Sequence, residues 1–171
     1  NISSSAAEEA RSVYGATKLF AENIGNQYKN CLNVRLYNVF GERQTLESGA
    51  VVPLWINAML KGEKPIVRVS DHNVPARDFT YVRDVVEELF HLMFETEATG
   101  LRHVGYKDPI SLLELLELIY GKATSFIEEP LRPYEILYSI APYSIDCIKY
   151  GRKEGMRRTI EWWKNEISLS S

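Results

Sequence analysis

Residues 10–41, ARSVYGATKLFAENIGNQYKNCLNVRLYNVFG, decide the fold. In the first half, apolar residues recur at Ala10, Val13, Ala16, Leu19, Phe20 and Ile24, the spacing of one helical face. The pattern predicts a single helix over 6–28, with Glu8 and Glu9 suited to the positive end of its dipole and Ser3, Ser4 or Ser5 as its cap. Asn30 then turns the chain. Residues 31–40 are a short apolar run rich in β-formers that ends at Gly41, which reads as a strand buried on both faces of a sheet.

Strands and helices continue to alternate outward from this unit. A polar loop at 42–50 leads to a helix over 53–60 stopped by Gly62, a strand at 65–69, a turn-rich stretch at 70–76 and an extended segment at 78–81. An amphipathic helix follows over 82–97, then a strand at 101–104 and a helix at 110–120 capped by Asp108 ahead of Pro109. Residues 125–128 read as extended, 130–142 as irregular and 153–167 as a terminal helix, where Trp162 and Trp163 are expected to pack in the core with one ring reaching the surface. This order indicates an α/β fold.

Composition removes several classes of function. Lys and Arg total 20 against 23 Asp and Glu, a net charge of −3, so no basic surface is available for nucleic acid. An anionic ligand must be met by locally placed arginines. No apolar run approaches the about 20 residues that span a bilayer, and the opening NISSS has no signal-peptide pattern. Cys31 and Cys147 form neither a disulfide framework nor, with the histidines, a metal-ligand pattern, so a reducing cytoplasm is the expected setting.

Tyr14 and Lys18 stand at i and i+4, one turn apart on one helical face. A free tyrosine, with a pKa of about 10, is a poor base at neutral pH, and an ammonium one turn away favours its phenolate. Such a pair is by itself common on solvent faces. Its setting is not: SVYGATKLFAEN (12–23) is followed by NVRLYNVFGERQ (33–44), VVPLWINAMLKGE (51–63), ARDFTYVRDVVEEL (76–89), VGYKDPISLLELLE (104–117), LRPYE (131–135) and EGMRRTIEWW (154–163). In this order the segments resemble the extended short-chain dehydrogenase/reductase family, in its NAD-dependent nucleotide-sugar epimerase/dehydratase branch.

The resemblance implies a Rossmann-like parallel sheet, with residues 1–41 in the NAD-binding domain, and a smaller α/β substrate domain over 42–171, some of whose segments return to the first. It implies NAD as cofactor in preference to NADP, and a nucleoside diphosphate sugar as substrate. Tyr14 would be the general base and Lys18 would hold the nicotinamide ribose. Ser4 or Ser5 would bond the reacting sugar oxygen, Tyr37 would lie at the cofactor, and Asn38, Val52, Arg77 and Arg132 would bind the substrate, with Asp78 bracing Arg77. The two arginines suit a diphosphate because guanidinium stays charged and offers forked donors. The helix bearing Tyr14 and Lys18 would also form a homodimer contact.

Departures from the family pattern refine this reading. No Gly-x-Gly-x-x-Gly or Gly-x-x-Gly-x-x-Gly occurs, so the pyrophosphate-binding turn of a dinucleotide fold is expected to lie outside this chain. The stretches 6–13 and 147–154 are shorter than in relatives, and Tyr134 replaces a glycine. Ala6 and Ala7 follow the serines where the resemblance places an Asp-Glu pair in 4,6-dehydratases, which favours an epimerase; a dehydratase or decarboxylase of a related nucleotide sugar is the alternative. From another class comes a non-catalytic fragment or binding subunit that needs a partner to complete its sheet, binds NAD weakly and associates.

Overall fold

A computed structural model describes residues 1–170 apart from His72, Ala123 and Tyr134, and for 167–170 the backbone alone. His72 of the expected turn and the Tyr134 replacement thus lie outside the described residues. In chain order the elements are β1 (Ile2–Ser4), α1 (Val13–Gly25), β2 (Leu32–Leu36), α2 (Val51–Lys61), β3 (Ile66–Val69), β4 (Ala76–Arg77), α3 (Val82–Phe90), β5 (Gly100–Val104), β6 (Ile110–Ser111), α4 (Leu112–Tyr120), β7 (Ile127–Pro130), β8 (Tyr138–Ser139) and α5 (Gly151–Ser170).

Three strands, β1-β2-β5, form a parallel sheet with β2 in the centre. The connection from β2 to β5 carries α2, β3, β4 and α3. Two smaller sheets complete the chain: β3 runs parallel to β7, and β4 lies between antiparallel β6 and parallel β8. One apolar core joins them, running from Val34 through Trp55, Tyr81, Leu115 and Met156 to Trp163. Trp162 and Trp163 meet edge to face at 5.5 Å, with Trp163 buried and Trp162 partly exposed, as the terminal-helix pattern predicts.

The opening residues do not form one long helix. Ile2–Ser4 is a strand, Ser5–Ala7 a single 3-10 turn, and α1 begins only at Val13. Ala10 has a φ of +47°, which a right-handed helix cannot accommodate, and the Ser12 hydroxyl accepts the Gly15 N–H at 3.0 Å as the actual cap. Ser4 caps the 3-10 turn instead, accepting from the Ala6 N–H at 3.2 Å. The strand expected over 31–40 likewise stops at Leu36, because Asn38 takes a φ of +34° and redirects the chain until Phe40 runs beside Tyr81. Asp108 does not cap α4. Ser111 does so in a capping box with Glu114, while the Asp108 carboxylate is 2.8 Å from Arg152. The helix expected over 82–97 is α3 followed by a π-helical turn at His91–Glu95, and the terminal helix begins at Gly151.

The inner face of α1 is Gly15, Glu22 and Gly25, while its apolar stripe points outward, with Val13 83% and Phe20 66% exposed. Glu22 is the helix's tie to the sheet. Ser3 on β1 donates to it at 2.5 Å, and Arg35 on β2 donates twice, at 2.8 and 2.7 Å. Burial raises the Glu22 pKa, but the bonds from Arg35 and Ser3 outweigh it and leave the carboxyl below its ordinary value. The folded state therefore binds fewer protons here than the unfolded chain. This stability is present above the ordinary glutamate pKa of about 4.3 and is lost as the pH falls through the lower, folded value. Urea unfolding should show wild-type stability declining with acidification in that range and a flatter profile for Glu22→Gln. Parallel profiles would mean that Glu22 makes no such contribution.

Candidate functional site

A cavity of about 450 Å³ opens between the turn after β2, the start of α2, strands β3 and β4, and the segment after β7. All four residues expected to bind substrate, Asn38, Val52, Arg77 and Arg132, line it. They come from four separate parts of the chain, and the fold brings them to one wall-to-wall space. Val52 is nearly inaccessible and supplies an apolar wall in the first turn of α2.

Arg77 is the most constrained of the four. Its guanidinium donates to the carbonyls of Ala76, at 3.1 Å, and Ile136. Neither acceptor carries a full charge. Burial lowers its pKa and Glu135 opposes the shift, yet an arginine stays a cation at neutral pH. Asp78, the expected brace, faces elsewhere: successive residues of an extended chain point to opposite sides. Its carboxylate, with no solvent exposure, accepts the N–H groups of Tyr106, Lys107 and Ala141 at 3.1, 2.8 and 3.1 Å. The Arg132 backbone N–H donates to Glu135 at 2.8 Å, which orders the turn that carries its side chain.

Two polar groups of the lining have no partner among the described residues. The Asn38 side-chain N–H2 and the Gln44 side-chain oxygen are buried without a hydrogen bond among the described residues. Such atoms are costly to leave unsatisfied, so they are complementary to a polar ligand. The backbone of Asn38, with its positive φ, also makes the turn after β2, so the residue serves as turn former and cavity wall together.

Tyr14, Lys18, Ser4 and Ser5 do not line this cavity. They form a neighbouring group on β1, the 3-10 turn and α1. The Lys18 ammonium lies 5.7 Å from the centre of the Tyr14 ring and donates to the Ile2 carbonyl at 3.0 Å, so the two side chains share one helical face as their spacing predicts. The Tyr14 side chain is accessible, with 55% exposure. Gly15 lets this helix sit on the serine turn, since a Cβ there would overlap the Ala6 carbonyl. Ser3 is committed to Glu22. The Ser4 oxygen accepts from Ala6 and keeps its own proton to donate, and Ser5 lies on the same turn.

Tyr37 connects the two groups. Its ring is fully buried, and its hydroxyl donates to Glu8, so its oxygen accepts from His103 Nδ1 at 2.8 Å. Burial, with the bond to Glu8 adding to it, raises the phenol pKa far above the ordinary value. The side chain is thus occupied by Glu8 and His103. Glu8, expected on the helix, instead pins the loop between Ser5 and Tyr14 to the end of β2. Sequence reasoning missed Glu8, His103, Gln44 and Arg68. Only Arg68 left a legible signal, the alternation of β3 that puts it on the same side as Ile66.

A model of the NAD dependent epimerase/dehydratase family matches residues 2–104. UDP-glucuronic acid decarboxylase 6 of Arabidopsis thaliana is 32% identical over 114 residues, covering 64% of this chain and 32% of that protein. UDP-glucuronate 4-epimerase of Thermodesulfobacterium geofontis is 29% identical over 180 residues, covering 92% of this chain and 52% of that protein. The structure of UDP-N-acetylglucosamine 4-epimerase from Methanobrevibacter ruminantium, solved with UDP-N-acetylmuramic acid, superposes with a TM-score of 0.74 at 27% identity over 90% of this chain and 54% of that one. The chain spans about a third to a half of the length of these relatives.

Gly15→Ala should lower the urea midpoint despite Ala's helix preference of about 1 kcal/mol, because overpacking against a backbone carbonyl costs about 1–3 kcal/mol. An unchanged or higher midpoint would show that the serine turn yields freely to the added methyl.

Proposed function

The chain belongs to the NAD dependent epimerase/dehydratase family, and from that premise we infer that it carries the proton-transfer and substrate-binding parts of an enzyme that epimerises a nucleoside diphosphate sugar. The observation that carries the reading is the cavity. It unites Asn38, Val52, Arg77 and Arg132 around a half-buried guanidinium that bonds no carboxylate among the described residues. Such a site is complementary to a diphosphate, which brings the negative charge that the protein withholds.

Arg77 and Arg132 take the phosphates, Asn38 donates to them, and Val52 forms the apolar wall for the nucleoside. The sugar then extends past the turn after β2 towards the loop that Glu8 ties to Tyr37. There Ser4 or Ser5 donates to the reacting hydroxyl oxygen while Tyr14 accepts its proton. Lys18, on the same face as Tyr14, holds a positive charge beside the phenol and reaches the ribose next to the nicotinamide. NAD, in preference to NADP, supplies the hydride acceptor and donor when bound. The exposed Tyr14–Lys18 face fits the nicotinamide end of such a cofactor, and the main chain at Tyr37 completes it.

Residues 1–41 together with β5 make up this chain's share of the NAD-binding domain, and the remainder from 42 to 171 makes up the substrate domain. The outward stripe of α1, Val13, Phe20 and Ile24, and that of α3, Val86 and Phe90, supply a homodimer contact. Among the described residues no helix is long and apolar enough to cross a membrane, and the free cysteines suit a reducing, cytoplasmic setting. A second reading, decarboxylation of a nucleotide-linked uronic acid, is favoured by the Arabidopsis relative.

Tyr14→Phe should abolish turnover of a nucleotide sugar by the enzyme while leaving nucleotide affinity unchanged, since Tyr14 lies outside the cavity. Normal turnover in that variant would remove Tyr14 as the base. Mass spectrometry of the product separates the readings, because epimerisation conserves mass and decarboxylation loses carbon dioxide. Phe20→Glu should convert a dimer to monomers in sedimentation, and an unaltered dimer would place the contact elsewhere.

A further inference from the structure

The cavity has a third guanidinium whose chemistry differs from that of Arg77 and Arg132. Alternation along β3 turns Val67 into the core and puts Ile66 and Arg68 on the cavity side. Arg68 faces Glu129 across the parallel pair β3–β7, and one of its terminal nitrogens donates to that carboxylate at 3.0 Å. Glu129 itself is not part of the lining. The pair therefore presents only the arginine to the cavity, with its charge already compensated and its remaining N–H groups unbonded among the described residues.

Position and surroundings separate Arg68 from the phosphate-type arginines. Arg77 bonds no carboxylate among the described residues, so it calls for an anion. Arg68 has its anion and is flanked by the apolar side chains of Pro65, Ile66 and Leu131, all of which line the same space. The Trp55 indole N–H donates to the Ile66 carbonyl at 2.8 Å and holds this wall in place. An apolar wall beside a compensated, fixed donor suits a flat, uncharged ring edged with carbonyl oxygens.

We propose that Arg68, oriented by Glu129, is a specificity-determining residue that donates to the 4-carbonyl of a pyrimidine-2,4-dione, so that the site selects uridine or thymidine diphosphates. This rests on the reading of the cavity as a nucleoside diphosphate site. Cytidine diphosphate is the informative competitor, because it replaces the 4-carbonyl with an amino group that offers donors to a donor. A site built around one such hydrogen bond rejects the mismatched ligand by leaving both partners unsatisfied.

Calorimetric titration with UDP, CDP and inorganic pyrophosphate, on wild type, Arg68→Met and Arg77→Met, tests this directly. The expected result is that the wild type binds UDP at least about tenfold more tightly than CDP. Arg68→Met should abolish that preference by weakening UDP alone, with pyrophosphate affinity unchanged, and Arg77→Met should weaken all three. A UDP preference that survives in Arg68→Met overturns the proposal. So does a loss of pyrophosphate affinity in that variant, which would make Arg68 a phosphate ligand. If the wild type binds neither UDP nor pyrophosphate, the nucleotide reading of the cavity fails and this inference fails with it.

Discussion

Asp78 carries a carboxylate with no access to water, and much of the substrate-side architecture follows from the need to satisfy it. A buried charge costs several kcal/mol unless it is paired and hydrogen-bonded; Arg152 approaches this carboxylate to 3.8 Å, and three backbone N–H groups are delivered to it as well. They come from Tyr106 and Lys107, just beyond β5, and from Ala141, just beyond β8. The same carboxylate thereby registers the parallel sheet against the small β6-β4-β8 sheet. Asp84 and Glu88 repeat the device along α3. Asp84 accepts the N–H groups of Lys149, Tyr150 and Gly151 where α5 begins, and Glu88 accepts those of Asp146 and Cys147. Three acidic side chains inside the molecule thus hold segments that have little regular structure of their own. Because neighbours in an extended chain face opposite ways, fixing Asp78 inward also fixes Arg77 towards the cavity.

Periodicity and helix-stop residues made most elements legible. The central strand, the helix ending at Gly62, the strand β5 and the terminal helix all announce themselves by spacing. Boundaries set by single backbone conformations did not. Nothing in a list of side chains marks Ala10 as left-handed, so α1 was expected to begin too early, and Ser12 was passed over as its cap in favour of the serines upstream. The cap of α4 was legible but misplaced: Pro109 points to Asp108, whereas the Ser111-x-x-Glu114 capping box, a local signal, sets the helix start. The apolar stripe of α1 predicted a helix correctly but not which side would be covered, since the covered side consists of two glycines and a glutamate.

The cavity residues were legible one at a time, by resemblance, but their assembly was not. Asn38, Val52, Arg77 and Arg132 belong to four separate stretches, and only the folded chain puts them around one space. The link between that space and the Tyr14–Lys18 face was also invisible, because it runs through a hydrogen bond from Tyr37 to Glu8, 29 positions apart. Two groups of residues stand apart in space, one around the cavity and one on the Tyr14–Lys18 face, and a buried phenol lies between them.

Arg77 carries a cost that a bound anion would remove. A cation half withdrawn from water and held by carbonyl dipoles raises the free energy of the folded chain, and an anion bound beside it would relieve that cost. Ligand binding and folding then become one linked equilibrium. In a cell, the lifetime of such a protein would follow the supply of an anion that fits this space, persisting while it is abundant and yielding to proteolysis when it is scarce.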